Sequence, residues 1–151
     1  MLLLNLDTKC VVLVRQFRIP TLVGRKRDVE STTDGWITEV VSGMINQNET
    51  PEAAIVRETM EETGYEIGNP KFITRFFSSP GGMSERIFLY FSEVREADGR
   101  GKGGGIGNED IEIVEMPLDE LFGQLRKGLI EDPKLIVGAY WLLEYRKFID
   151  I

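Results

Sequence analysis

Gly43-Met44-Ile45-Asn46-Gln47-Asn48-Glu49-Thr50-Pro51-Glu52-Ala53-Ala54-Ile55-Val56-Arg57-Glu58-Thr59-Met60-Glu61-Glu62-Thr63-Gly64 is the segment from which the rest of the chain is read. Thr50 is placed to cap a helix, Pro51 suits its first position, and Glu52 complements the positive end of its dipole. Gly64 supplies the stop. At about 100° per residue, Glu58 and Glu62 lie about 40° apart and one turn from each other, with Glu61 beside them. Ala53, Val56 and Met60 point to the opposite side and are predicted to pack on a sheet. Carboxylates four residues apart repel in an isolated helix. A divalent cation reverses that cost, and hard carboxylate oxygens suit Mg²⁺ or Mn²⁺. Arg57, four residues before Glu61, is placed to orient it by a salt bridge, and Gly43 permits close backbone approach at the loop entry. A solvated acidic face is the plain alternative for any one Glu pair. The full spacing G-x5-E-x7-R-E-x2-E-E-x-G should arise by chance on the order of once in a million for a chain of this size.

On both sides of this helix the pattern is that of a mixed α/β chain. The chain enters a strand almost at once, and residues 9–18 and 36–41 read as further strands. Residues 19–34, polar and basic with Gly24, read as a long loop. Residues 71–78 and 86–94 read as strands split by Ser79-Pro80-Gly81-Gly82. Residues 96–109 form a glycine-rich loop, and Ile111 to Met116 alternate as a half-buried strand does, with Pro117 ending it. Helices are predicted over roughly 118–128 and 132–148. No repeat and no domain boundary is visible, so residues 1–151 are expected to form one domain.

Composition narrows the chemistry. With 151 residues, 42% of them hydrophobic and 28% charged, a sizeable core is possible without staples. The chain has no histidine, which removes Ser-His and Cys-His catalysis and histidine-bound metals. Its single cysteine, Cys10, forms no internal disulfide and fits a reducing cytoplasm; it reads as a buried strand thiol. The net charge of −7 disfavours nucleic acid as a partner, and Met1-Leu2-Leu3-Leu4 is too short for a membrane segment. An acidic protein acting on an anionic substrate needs bridging cations.

The spacing from Gly43 to Gly64 resembles the Nudix box, G-x5-E-x7-R-E-U-x-E-E-x-G-U, where U is a bulky apolar residue. Tyr65 matches the last U; Thr59 stands at the middle one. Arg15-Gln16-Phe17-Arg18, Ser79-Pro80-Gly81-Gly82, Ser84-Glu85 and Glu109-Asp110-Ile111 extend the resemblance to the ADP-ribose and GDP-mannose pyrophosphatase branch. The run 103–117 leans towards the GDP-mannose members. The resemblance implies an α/β/α sandwich, Mg²⁺-dependent hydrolysis of a nucleoside diphosphate sugar, and a homodimer. Carried over by position, Glu58, Glu62, the Ser42 carbonyl and Glu109 are metal ligands, and Glu61 binds metal directly or through water. Arg18 and, more weakly, Arg15 meet substrate phosphate; Gly43, Ser79, Gly81 and Glu85 belong to the substrate site; Arg57 and Gly64 are structural. Members of the branch often carry a glutamate where Gly107 stands, so the general base is left among Glu109, Asp110 and Glu61. The branch's usual N-terminal dimerisation segment is expected to be absent.

Several features keep two readings. Gly103 to Gly107 read as a plain loop or as one that closes over substrate. Arg25, Lys26 and Arg27 read as a solvated loop or as phosphate contacts. Trp141, Leu142, Leu143 and Tyr145 read as core or dimer-facing residues. Phe17 and Trp36 read as buried or as base-stacking. A non-catalytic nucleotide-sugar sensor and a plain interaction protein stand as alternatives to the enzyme.

Overall fold

The computed structural model describes residues 1–25, 34–99, 101–107 and 110–148. Among these, six strands form one mixed sheet: β1 (Leu2–Asn5), β2 (Cys10–Phe17), β3 (Trp36–Glu39), β4 (Lys71–Phe77), β5 (Arg86–Val94) and β6 (Ile111–Pro117). β1 and β5 run parallel; the other pairs are antiparallel. β6 pairs along one edge of β2, from Cys10↔Pro117 to Gln16↔Ile111. The other edge of β2 is shared. β1 takes its first half, from Asn5↔Cys10 to Leu3↔Val12, and β3 takes its second, from Val14↔Glu39 to Phe17↔Trp36.

That sharing explains why β3 stops at Glu39 and not at residue 41 as expected. Past Val14 the edge of β2 belongs to β1, so Val40 and Val41 leave the ladder. The amino group of Met1 meets them there and donates to the Val41 carbonyl at 2.6 Å.

Alternation along the strands sends successive side chains to opposite faces. Leu2, Leu4, Val11, Leu13, Leu89 and Phe91 share one core with α3 (Leu118–Lys127) and α4 (Pro133–Tyr145). Leu3, Val12, Val14 and Tyr90 share the other with α2 (Pro51–Thr63). The result is an α/β/α sandwich, as the sequence implied. Each fully buried leucine contributes about 1.5–3 kcal/mol, and Leu2, Leu3, Leu4 and Leu13 are all fully buried. Leu142 is buried in the first core, and Trp141, Leu143 and Tyr145 pack against it.

Several expectations need correction. Residues 19–34 are not all loop, because α1 (Ile19–Arg25) forms there. Pro20 sits in its first turn, where a missing N–H is harmless. Leu22 donates to the Arg18 carbonyl at 3.1 Å and leans on Gly35. A one-turn 3₁₀ helix, Glu96–Asp98, opens the glycine-rich loop, and a second, Arg146–Phe148, ends the last helix early. Cys10 is only half-buried, with Sγ donating to the Thr8 carbonyl at 3.5 Å. Phe17 is 45% exposed and meets Trp36 edge to face. On α2, Ala53 is exposed; Ala54, Ile55, Thr59, Glu62 and Thr63 are the residues it buries, while Val56 packs beside them. The stripe is rotated because Glu62 itself faces inward and is buried.

Candidate active site

The ends of α2 are fixed as its sequence predicts. Thr50 Oγ1 accepts the Ala53 N–H at 3.2 Å, a cap that contributes about 1 kcal/mol. Gly64 adopts a φ of 76° and returns its N–H to the Met60 carbonyl. Thr59 is fully buried, and its hydroxyl donates to the Ile55 carbonyl at 2.6 Å, so a polar residue is tolerated at an apolar position.

Arg57 organises the outer face. Its Nε and Nη2 donate to the two oxygens of Glu49 at 3.0 and 3.2 Å, its Nη1 to Glu58 at 2.8 Å and Glu61 at 3.0 Å, and its Nη2 to the Met44 carbonyl at 3.1 Å. One planar fork thus binds the loop before the helix to two carboxylates on it. The hydrogen bonds from Arg57 hold the Glu49 carboxyl below its usual range, and Glu49 in turn raises the Arg57 guanidinium further. Glu62 faces the other way. Its Oε2 accepts the Ser42 N–H at 3.2 Å and its Oε1 the side-chain amide of Gln16 at 3.5 Å. Gly43 passes under Glu58 so closely that a β-carbon there would coincide with the carboxylate.

The glycine-rich loop is tied to the same helix. Gly101, Gly104 and Gly105 donate to the carbonyls of Gly64, Glu62 and Glu61 at 3.1, 2.8 and 3.0 Å. These include the terminal carbonyls that a helix leaves without partners. Gly103, at φ 64°, has no room for a side chain, since a β-carbon would come within 2.6 Å of the Glu62 carbonyl oxygen. The loop is therefore a fitted cap over the end of α2. Asp110 is exposed just beyond it, and Glu109 lies outside the described residues, as do Lys26 and Arg27.

Beside Gly43 opens a cleft of about 430 Å³ between the box loop, β4, β5 and the start of α4. Arg18, Glu39, Glu85 and Lys134 line it. Arg18 binds Glu39 at 2.8 Å; Glu39 binds Lys134 at 3.2 Å; Lys134 binds the buried Asp132 at 2.8 Å. Asp132 also caps α4 and accepts the Val40 N–H, which fixes the lysine against the end of β3. Burial opposes the Lys134 ammonium, but Asp132 and Glu39 outweigh it and its pKa is raised. Neither Lys134 nor Gln16 is among the site residues that the sequence singles out. A lysine in the first turn of a helix, where the dipole disfavours a cation, is the signal that marks Lys134.

Other expected substrate residues sit apart from the cleft. Arg15 binds Glu112 at 3.0 Å and lies over the Trp36 ring. Ser79 accepts the Gly82 and Met83 N–H groups in a turn, and Gly81 lines a separate shallow hollow.

The family's metal can be tested on these donors. Among the described residues no three acidic side chains converge as a ready cage. The donor chemistry nonetheless fits Mg²⁺: Glu58, Glu61 and Glu62 offer hard oxygens on adjacent turns, and the bare Gly43 lets Glu58 reach the loop where the Ser42 carbonyl lies.

The family model for the NUDIX domain matches residues 1–137. The chain is 38% identical over 136 residues to a GDP-mannose pyrophosphatase of Cronobacter sakazakii, covering 90% of this chain and 68% of that protein. It is 38% identical over 141 residues to one of Salmonella arizonae, covering 93% and 70%. It is 34% identical over 144 residues to one of an Enterobacter species, covering 95% and 70%. A box whose arginine gathers Glu49, Glu58 and Glu61 beside its glycine, inside a match that takes in nearly the whole chain, makes this protein a member of the Nudix family.

Proposed function

We propose that this Nudix hydrolase cleaves the pyrophosphate bond of GDP-mannose, giving GMP and mannose 1-phosphate, with Mg²⁺ as its cofactor. One observation carries the reading: of the carboxylates held by Arg57, Glu58 packs directly on Gly43, and Gly43 lines a cleft that Arg18 and Lys134 also line. Anionic ligands on one side and cations on the other suit a pyrophosphate. The names of the relatives supply the nucleotide sugar.

In this reading Glu58, Glu62 and the Ser42 carbonyl hold the metal, and Glu61 and Glu109 are the further ligands that the family resemblance implies. Bound there, Mg²⁺ would neutralise the phosphates and acidify a water. Arg18 and Lys134 bind and orient the diphosphate so that one phosphorus faces the carboxylate row. Gln16 and the Ser42 N–H keep Glu62 in one rotamer. A carboxylate among Glu61, Glu109 and Asp110 takes the proton of the attacking water. The glycine-rich loop from Gly101 to Gly105 is anchored to the end of α2 by its main-chain bonds. In the same reading the enzyme is a cytoplasmic homodimer with Mn²⁺ as a substitute metal; the single cysteine fits a reducing compartment, and the family resemblance supports the dimer. Among the described residues no helix is long and apolar enough to cross a membrane.

The test is a panel of GDP-mannose, ADP-ribose, other nucleotide sugars, dinucleotides and nucleoside triphosphates with Mg²⁺, read by phosphate release after phosphatase coupling. Turnover of GDP-mannose above the rest, lost in Glu62→Gln, is the expected result. Preference for ADP-ribose would replace the substrate but keep the chemistry. Binding without turnover would replace the enzyme with a sensor.

A further inference from the structure

Ser78 follows β4 directly and continues its pairing, donating its N–H to the Glu85 carbonyl at 3.1 Å. Opposed residues of an antiparallel pair project to the same face, and so do alternate residues of one strand. Phe76 opposes Ile87 and Ser78 opposes Glu85, and all four line the cleft beside Gly43. The wall thus has an apolar row and, one step nearer the turn, a hydroxyl beside a carboxylate.

The hydroxyl is anomalous. Among the described residues, Ser78 Oγ is the buried side-chain polar atom that has no hydrogen-bond partner. A buried hydroxyl left without a partner is costly, and a serine can place its proton and lone pairs to suit whatever arrives. We infer that Ser78 is a specificity residue for the glycosyl group: its Oγ hydrogen-bonds a sugar hydroxyl, Glu85 accepts from another, and the C–H face of the ring lies on Phe76 and Ile87. The inference rests on the nucleotide-sugar reading above. A sugar fits this wall better than a phosphate, because Ser78 and Glu85 offer a neutral hydroxyl and a carboxylate that repels an anion, while the cations Arg18 and Lys134 are carried by other elements.

The experiment is steady-state kinetics of the full chain and of Ser78→Ala and Ser78→Thr, with Mg²⁺. The substrates are GDP-mannose, its monodeoxy-mannose analogues and ADP-mannose. Loss of one hydrogen bond is expected to raise the KM of Ser78→Ala for GDP-mannose about tenfold, with kcat much less affected. One deoxy analogue should give the unaltered chain the same rise, and Ser78→Ala should no longer distinguish it from GDP-mannose. Ser78→Thr should keep part of the discrimination. The melting temperature of Ser78→Ala should be unchanged or higher, since no bond within the protein is lost; a purely structural serine would lower it. An unchanged KM, or a change that follows the base and not the sugar, overturns the inference while leaving the proposed reaction standing. If the unaltered chain turns over no nucleotide sugar, the reaction and the inference fall together.

Discussion

The Glu62 carboxylate accepts the main-chain N–H of Ser42 at 3.2 Å, so one side chain holds the last turn of α2 against the loop that begins the box. Its other oxygen meets Gln16 on β2. Glu62→Gln should retain the fold and lose more than about 100-fold in kcat, as expected for a group on which metal and geometry both depend. Gln16→Ala touches only the orientation of Glu62 and should weaken Mg²⁺ activation about tenfold. The Mg²⁺ concentration for half-maximal rate measures this. An unchanged value would reduce Gln16 to a packing residue.

Gly43 is fixed by space. In Gly43→Ala the new methyl and the Glu58 carboxylate would claim the same volume, and Glu58 must move. Displacement of a reacting group by about 1 Å costs on the order of 100-fold in rate. The loop is exposed, so thermal stability should change little. Circular dichroism melts beside kcat separate the two effects.

Arg57→Lys keeps the charge and loses the fork. A single ammonium cannot serve Glu49, Glu58, Glu61 and the Met44 carbonyl together. Activity should fall about 10–100-fold, with only a modest loss of stability because the arginine side chain is 30% exposed.

The same network carries a pH dependence. Glu49 is held below its ordinary 4.5 by Arg57. A depressed carboxyl contributes stability that is present above pH 4.5 and disappears as pH falls through its folded-state value. Acid should therefore loosen the box loop before the sheet. Hydrogen exchange at the Asn46 amide, which donates to Glu49 at 2.9 Å, reports it. Protection that persists until global acid unfolding would contradict the assignment.

Lys134→Ala removes the cationic partner of Asp132, at 1% exposure, and leaves Glu39, at 10%, with Arg18 alone. An acid left buried and unpaired costs about 3 kcal/mol, and the KM for a nucleotide sugar should rise with it. Because the Lys134 pKa is raised above 10.5, its contribution is complete below that pH and is lost as pH climbs through the raised value. Urea melts of both proteins should differ at pH 7 and converge in strong alkali.

The sequence spoke clearly where local rules decide. Thr50, Pro51 and Gly64 mark the ends of α2 by capping chemistry, which no distant residue overrides. Alternation from Ile111 places β6 for a similar reason. It was silent where the third dimension decides. A helical wheel sets Glu58 and Glu62 near each other and so points to Ala53, Val56 and Met60 as the buried stripe; it cannot show that Glu62 turns inward to Ser42 and Gln16. Lys134 lies 76 residues from Glu58, and only the stapling of Asp132 to Val40 brings it to the cleft. A loop reading over 19–34 averaged Ile19–Arg25 with the basic residues that follow, and so missed α1.

The shared edge of β2 has one further consequence. A sheet normally pairs its own main-chain N–H and C=O groups, each answered by the next strand. Where two short strands must line up end to end along one neighbour, that mutual accounting breaks at the seam, and the peptide groups beside it are released to other uses. Val40 turns to Asp132, Val41 to Met1, and Ser42 to Glu62. The candidate site is therefore not merely a loop added onto the sheet. It is the place where the weave itself has a gap, and its polarity is that of unspent backbone.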